Sequence, residues 1–132
     1  MSGKTLALLF GVIFVLVGIL GYIENPLVGT GAIFETDSMH NIVHILFGVI
    51  LLAVAFVSAG ASALWLKILG VVYLVLAVAG FATVPEGGQL LGLVMTNMAD
   101  HWLHVVLGVV LIIVGFIAKP ASSRMGMQSP TM

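Results

Sequence analysis

HNIVHILFGVILLAVAFV, residues 40–57, is the stretch whose reading decides the fold. Its first turns carry two histidines and an asparagine, and the remainder is unbroken apolar residues and one glycine. Eighteen such residues in a helix span roughly 27 Å, close to the hydrocarbon thickness of a bilayer. The stretch also recurs. HNIVHILFGVILL (40–52) aligns with DHWLHVVLGVVLI (100–112), pairing His44 with His104 and Gly48 with Gly108. Upstream of each, FGVIFVLVGILGYI (10–23) aligns with LGVVYLVLAVAGFA (69–82), pairing Gly11 with Gly70 and Gly21 with Gly80.

Composition supports a membrane reading. Of 132 residues, 61% are hydrophobic and 7% charged, with a formal net charge of -1. Soluble domains carry about 25% charge, so this chain cannot cover a water-facing surface and lipid must cover most of it. Four Lys/Arg without a basic run exclude a nucleic-acid surface. The absence of cysteine excludes disulfides, thiolate metal sites, c-type haem attachment and cysteine nucleophiles.

Working outward, the sequence predicts an all-α integral membrane four-helix bundle forming one domain over 1–132. The spans fall at about 5–23, 39–57, 64–83 and 98–118, followed by a flexible tail at 119–132. The first apolar run reaches Ile23 without a polar break and continues into ENPL, so it reads as a retained span rather than a cleaved signal peptide. Asp37 or Ser38 suits the N-cap of the second helix, and Asn97 or Met98 starts the fourth. The intervening segments 24–39 and 85–97, rich in glycine and acid, read as loops. Three methionines in the tail suggest a Cu(I) reading, but no histidine stands beside them.

The repeats, about 5–57 and 64–118, each hold two spans. They therefore enter the membrane from the same side, as parallel repeats related by a pseudo-two-fold along the membrane normal. Small residues recur at intervals of seven: Gly11 and Gly18, Gly48 and Ala55, Gly70 and Ala77, Gly108 and Gly115. Two turns separate the members of each pair, so each pair lies on one face and is expected to form a packing seam.

Lys4, Lys67, Lys119 and Arg124 fall on one side of this topology; Glu24, Glu35, Asp37, Glu86 and Asp100 fall on the other. The positive-inside rule then places both termini in the cytoplasm and both acidic loops outside. Every histidine lies toward the acidic side. Asp37, Asn41, His44 and Gly48 share one helix face, and Asn97, His101, His104 and Gly108 share another. Histidines inside a span are costly unless paired or ligated.

Three readings of this polar group stand open. In the first, His44 and His104 bond each other, a carboxylate or a carbonyl and hold the outer end together, with Asn41 and Asn97 in a structural polar cluster. In the second, His40, His44, His101, His104, Asp37 and Asp100 supply a transition-metal site, or His44 and His104 ligate a b-type haem. In the third, the chain forms an ion or proton path as an oligomer, although the inner halves of the helices carry almost nothing polar. HNIVH lacks the glutamate of HExxH, and the glycine-rich loops are no phosphate loop, so no catalytic motif is present and a non-enzyme is favoured. Beyond the bilayer itself, the partner classes left open are further copies of the chain and other membrane proteins.

HNIVHILFGVILL, LKILGVVYLVLAVAGF and NMADHWLHVVLGVVLIIVGF together resemble the prokaryotic membrane proteins grouped as domain of unknown function 4383, over residues 5–118. The [ND]xxxH…G pattern before the second and fourth helices carries most of that likeness. The resemblance implies four membrane helices in the plasma membrane of a prokaryote, singles out Asn41, His44, Gly48, His104 and Gly108, and supplies no chemistry. The reading favoured on these grounds is a structural or accessory membrane module.

Overall fold

The computed structural model describes residues 1–120. Four helices are long and apolar enough to cross a membrane: α1 (Gly3–Leu20), α2 (Ser38–Ala55), α3 (Ala59–Thr83) and α4 (Met98–Ile117). They form an all-α bundle in which α1 lies along α2 and α3 along α4, with sparser contacts from α1 and α2 to α3. The middle of the bundle is filled by Leu6, Phe14, Leu51, Leu66, Leu69, Tyr73 and Leu111. The opposite helix faces leave Leu16, Leu46, Val75, Val106 and other large apolar side chains exposed. In water that surface would be untenable; it is the face a lipid solvent requires.

Backbone approach sets the tight helix pairs. A Cβ added at Gly48 would lie 2.7 Å from the Gly11 carbonyl oxygen, and one at Gly11 would lie 3.0 Å from the Gly48 oxygen. Likewise, a Cβ at Gly70 would lie 2.8 Å from the Gly108 oxygen, and one at Gly108 would lie 2.9 Å from the Gly70 oxygen. Gly18 sits against the Asn41 carbonyl and Gly115 against the Ala63 carbonyl. A carbonyl cannot rotate away as a side-chain tip can, so these contacts admit only glycine at this separation.

Each helix begins at a side-chain cap. The Ser2, Asp37, Ser58 and Asn97 side chains accept from Thr5, His40, Ala61 and Asp100 backbone N–H groups respectively. Asn97 and Asp100 complete a reciprocal capping box. Such caps are worth about 1 kcal/mol each, and they matter more where the helix end enters lipid.

α3 starts at Ala59, earlier than the composition around Leu64 indicates. Its cap is Ser58, and buried Ser62 donates to the Val54 and Ser58 carbonyls, so the α2–α3 connection is only three residues long. Lys67 consequently lies in the third turn rather than the first. Its stem passes against Gly115, and its ammonium sits 4.6 Å from the centre of the Phe116 ring, the snorkelling geometry of a lysine near a membrane surface.

The segments read as loops contain short strands. β1 (Val28–Gly29) pairs in parallel with β2 (Phe34–Glu35), and β3 (Gly87–Leu90) forms an antiparallel hairpin with β4 (Val94–Asn97). Gly87 (φ 113) and Gly88 (φ 140) hold backbone conformations closed to most other residues. That is how a glycine-rich segment without hydrophobic alternation pairs as a strand. Asn97 Nδ2 donates to the Ile33 carbonyl at 2.8 Å, tying the two strand pairs into one cover over this end of the bundle.

At the other end the chain start pairs with Lys119, two residues past α4. Gly3 N donates to Lys119 O at 3.3 Å and Lys119 N to Met1 O at 3.0 Å. Residue 119, expected to open a flexible tail, is therefore held in a bridge; residues 121–132, including the tail methionines and Arg124, lie outside the described residues.

Gly108→Ala should destabilise the bundle by about 1–3 kcal/mol, because overpacking meets backbone there. Gly60→Ala, where the nearest atom to the new Cβ is 3.9 Å away, should be neutral or stabilise by up to about 1 kcal/mol. Thermal unfolding in detergent followed by circular dichroism compares the two.

Candidate functional site

Apart from Ser62, the buried polar side chains of the described residues gather where α2, α3 and α4 meet the strand cover: Thr36, His40, Asn41, His44, Thr96, Asp100, His101 and His104. Helix periodicity brings them there. His40 and His44, like Asp100 and His104, are four residues apart and stand one above the other on the face turned into the bundle.

The four imidazoles divide into two settings. His40 stacks on His44, with centroids 5.0 Å apart and planes at 19°, and its ring centre is 6.0 Å from that of His104. His40 thus packs against both residues that the repeat aligns. Its Nδ1 donates to the Met95 carbonyl in β4 at 2.6 Å. Tyr73 closes this group from α3, its ring 5.2 Å from His104 and 6.4 Å from His44, with Phe14 and Phe47 packed beside it. His101 points elsewhere. Its Nε2 donates to the Val84 carbonyl at the end of α3 at 2.7 Å, and its ring meets Phe81 edge-on. A Cβ on Gly80 would collide with the His101 ring, so the glycine makes room for the imidazole.

Nδ1 of His44 and of His104 is buried without a hydrogen-bond partner. The expectation that these two rings bond each other or a carbonyl is thus met not by them but by their neighbours His40 and His101, which both reach backbone carbonyls. The carboxylates are also spent locally: Asp37 Oδ1 accepts from His40 N and Asp100 Oδ2 from Asn97 N, each at 2.9 Å. Asn41 is buried against Gly21, where a Cβ would strike its side-chain amide, and its Oδ1 is unpaired.

Asn25 is a residue whose importance helical spacing does not reveal. Its Nδ2 reaches the Leu20, Ile23 and Val28 carbonyls at 2.9, 2.6 and 2.8 Å, and its Oδ1 accepts from Leu27 N and Val28 N at 2.8 and 2.9 Å. One amide therefore ends α1 and starts β1. The Asn25-Pro26 dipeptide is a turn-initiating signal that identifies it.

A family model described as Domain of unknown function (DUF4383) matches residues 4–117. The chain belongs to this family. No curated protein and no solved structure matches it. With four apolar spans, this DUF4383 chain is a multi-pass membrane protein.

The DUF4383 bundle overturns the metal and haem reading. Among the described residues, no group of three or more His, Asp or Glu is placed to hold an ion. The reason is orientation. Imidazole lone pairs lie in the ring plane, so stacked His40 and His44 present theirs side by side rather than toward one point. His101 is turned to Val84, and Asp37 and Asp100 cap their own helices. A b-type haem between His44 and His104 would displace the His40 and Tyr73 rings, where the enclosed space is about 20 Å³. Purified protein should show no stoichiometric transition metal by elemental analysis and no Soret absorption; either signal at one per chain would contradict this geometry.

Proposed function

We propose that this chain is a non-enzymatic structural or accessory module of a prokaryotic plasma membrane. In this reading its two hairpins are tandem repeats about a pseudo-two-fold along the membrane normal, and its buried imidazoles fasten the cover to the helix ends on the outer side. Both termini are cytoplasmic and the partners are further copies or another membrane protein. The supporting observation is how the histidines are used: His40 and His101 each give a ring N–H to a backbone carbonyl where the helices meet the cover, at Met95 in β4 and at Val84, which also accepts from Gly87 N. In a low-dielectric surrounding such bonds stabilise strongly, because the alternative is an unpaired buried ring N–H. The matched glycine contacts at Gly11 with Gly48 and Gly70 with Gly108 support the repeat. The apolar centre formed by Leu51, Leu66, Leu69 and Leu111 speaks against an ion path through one chain.

His40→Ala and His101→Ala should each lower stability by about 1–3 kcal/mol. His40→Ala should also speed amide hydrogen exchange in β3 and β4. Proteoliposomes of the wild-type chain should conduct protons and cations no faster than empty vesicles. Unchanged stability and exchange in both variants would overturn the fastening role, and a specific flux would replace the module with a conducting protein.

A further inference from the structure

A groove of about 180 Å³ runs between α2 and α3 beneath the β3–β4 hairpin. Its walls are apolar, among them Met39, Phe47, Val72 and Leu91. Five of its wall residues, Val43, Phe47, Leu76, Leu90 and Val94, also line the enclosed space of about 20 Å³ that is bounded by His40, His44, Tyr73 and His104. The groove on the lipid-facing surface is therefore separated by these shared side chains alone from a small chamber that the three imidazoles and Tyr73 line on its far side. His44 and His104 are only 5% and 3% exposed, and each has an Nδ1 without a partner.

The hairpin tip at the mouth adds an independent observation. Leu91 adopts φ 55, and Gly92 follows at φ 68. Left-handed backbone disfavours a leucine, and asparagine or glycine would serve the turn better. The leucine side chain is exposed and forms part of the groove wall.

We propose that this groove binds a single-chain lipid ending in one small oxygen-bearing group, a carboxyl or a hydroxyl, with the chain in the groove and the oxygen against His44 and His104. The chamber fits such a group because its volume is on the order of one or two water sites. A phosphodiester or sugar headgroup does not fit that space. Imidazole matches the chemistry, offering one donor and one acceptor per neutral ring to a group that can both give and take a hydrogen bond. The apolar groove accepts a hydrocarbon chain and opens where the bilayer supplies one.

The test is photolabelling of the full chain in detergent micelles with oleic acid carrying a diazirine on its chain, with labelled peptides read by mass spectrometry. Unlabelled oleic acid, oleyl alcohol and 1-octadecene serve as competitors. Labelling should concentrate on the peptides of α2, α3 and the β3–β4 hairpin. Oleic acid or oleyl alcohol should displace the probe about tenfold better than 1-octadecene, and which of the two does so identifies the headgroup. Val43→Trp, which fills the groove, and the paired His44→Phe/His104→Phe change should each weaken labelling about tenfold. Val75→Trp, on an exposed part of α3, should leave it unchanged. Equal displacement by 1-octadecene, labelling spread over all lipid-facing positions, or an equal effect of Val75→Trp would overturn the proposal. The competitor comparison uses the wild-type chain, so a variant that fails to fold does not protect it.

Discussion

Everything in this bundle depends on helix backbones coming close enough to touch. In lipid, an apolar side chain gains little by leaving the solvent for a neighbouring helix, so dispersion and close approach must hold helices together. Gly11 against Gly48, and Gly70 against Gly108, bring carbonyl oxygens within contact of the opposing Cα positions. Around these contacts Leu51, Leu66 and Leu111 are fully buried. The larger side chains are left to face the bilayer, which solvates them without cost. The glycines therefore decide which faces meet, and the leucines fill what the approach leaves.

The polar chemistry is confined to the two ends, and each end solves the same problem. Helix termini leave carbonyl and amide groups unpaired, and lipid offers them no partner. At the terminal end, the bridge between Met1, Gly3 and Lys119 and the Ser62 hydroxyl meet that need. At the other end the need is met by strands, by Asn25 and by imidazoles, with Asn97 joining the two strand pairs. Histidine suits this position because one flat ring fills space like an aromatic residue while one edge donates to a carbonyl. Nδ1 is unpaired on His44, His101 and His104, but His101 still donates through Nε2, so it is His44 and His104 that stand out against that economy.

The helices were legible because lipid imposes a length and a composition that no other setting requires, and because the aligned glycines survive as letters in both halves. Caps at Asp37 and Asn97 were legible for the same local reason. The site was legible only as a set of residues. Spacing of four places His40 above His44 but does not say which ring edge faces which atom, and that orientation separates a ligand set from a set of fastenings. The metal and haem readings failed there. The strands were hidden because Gly87, Gly88 and the two-residue β1 carry no alternation. The early start of α3 was hidden because Ser58, Gly60 and Ser62 resemble a loop, although Ser58 is a cap and Ser62 a hydrogen-bond donor.

Contact between helix backbones can be tested without altering a residue. Solid-state NMR of the chain in lipid bilayers, labelled with carbon-13 at glycine, measures dipolar coupling between glycine carbonyl and α carbons. Through-space contacts should connect Gly11 with Gly48 and Gly70 with Gly108, and none should connect Gly11 with Gly108. Loss of both expected contacts in a folded, bilayer-embedded sample would show that side chains, not backbones, set the helix spacing, and would contradict glycine-mediated approach as the basis of the bundle.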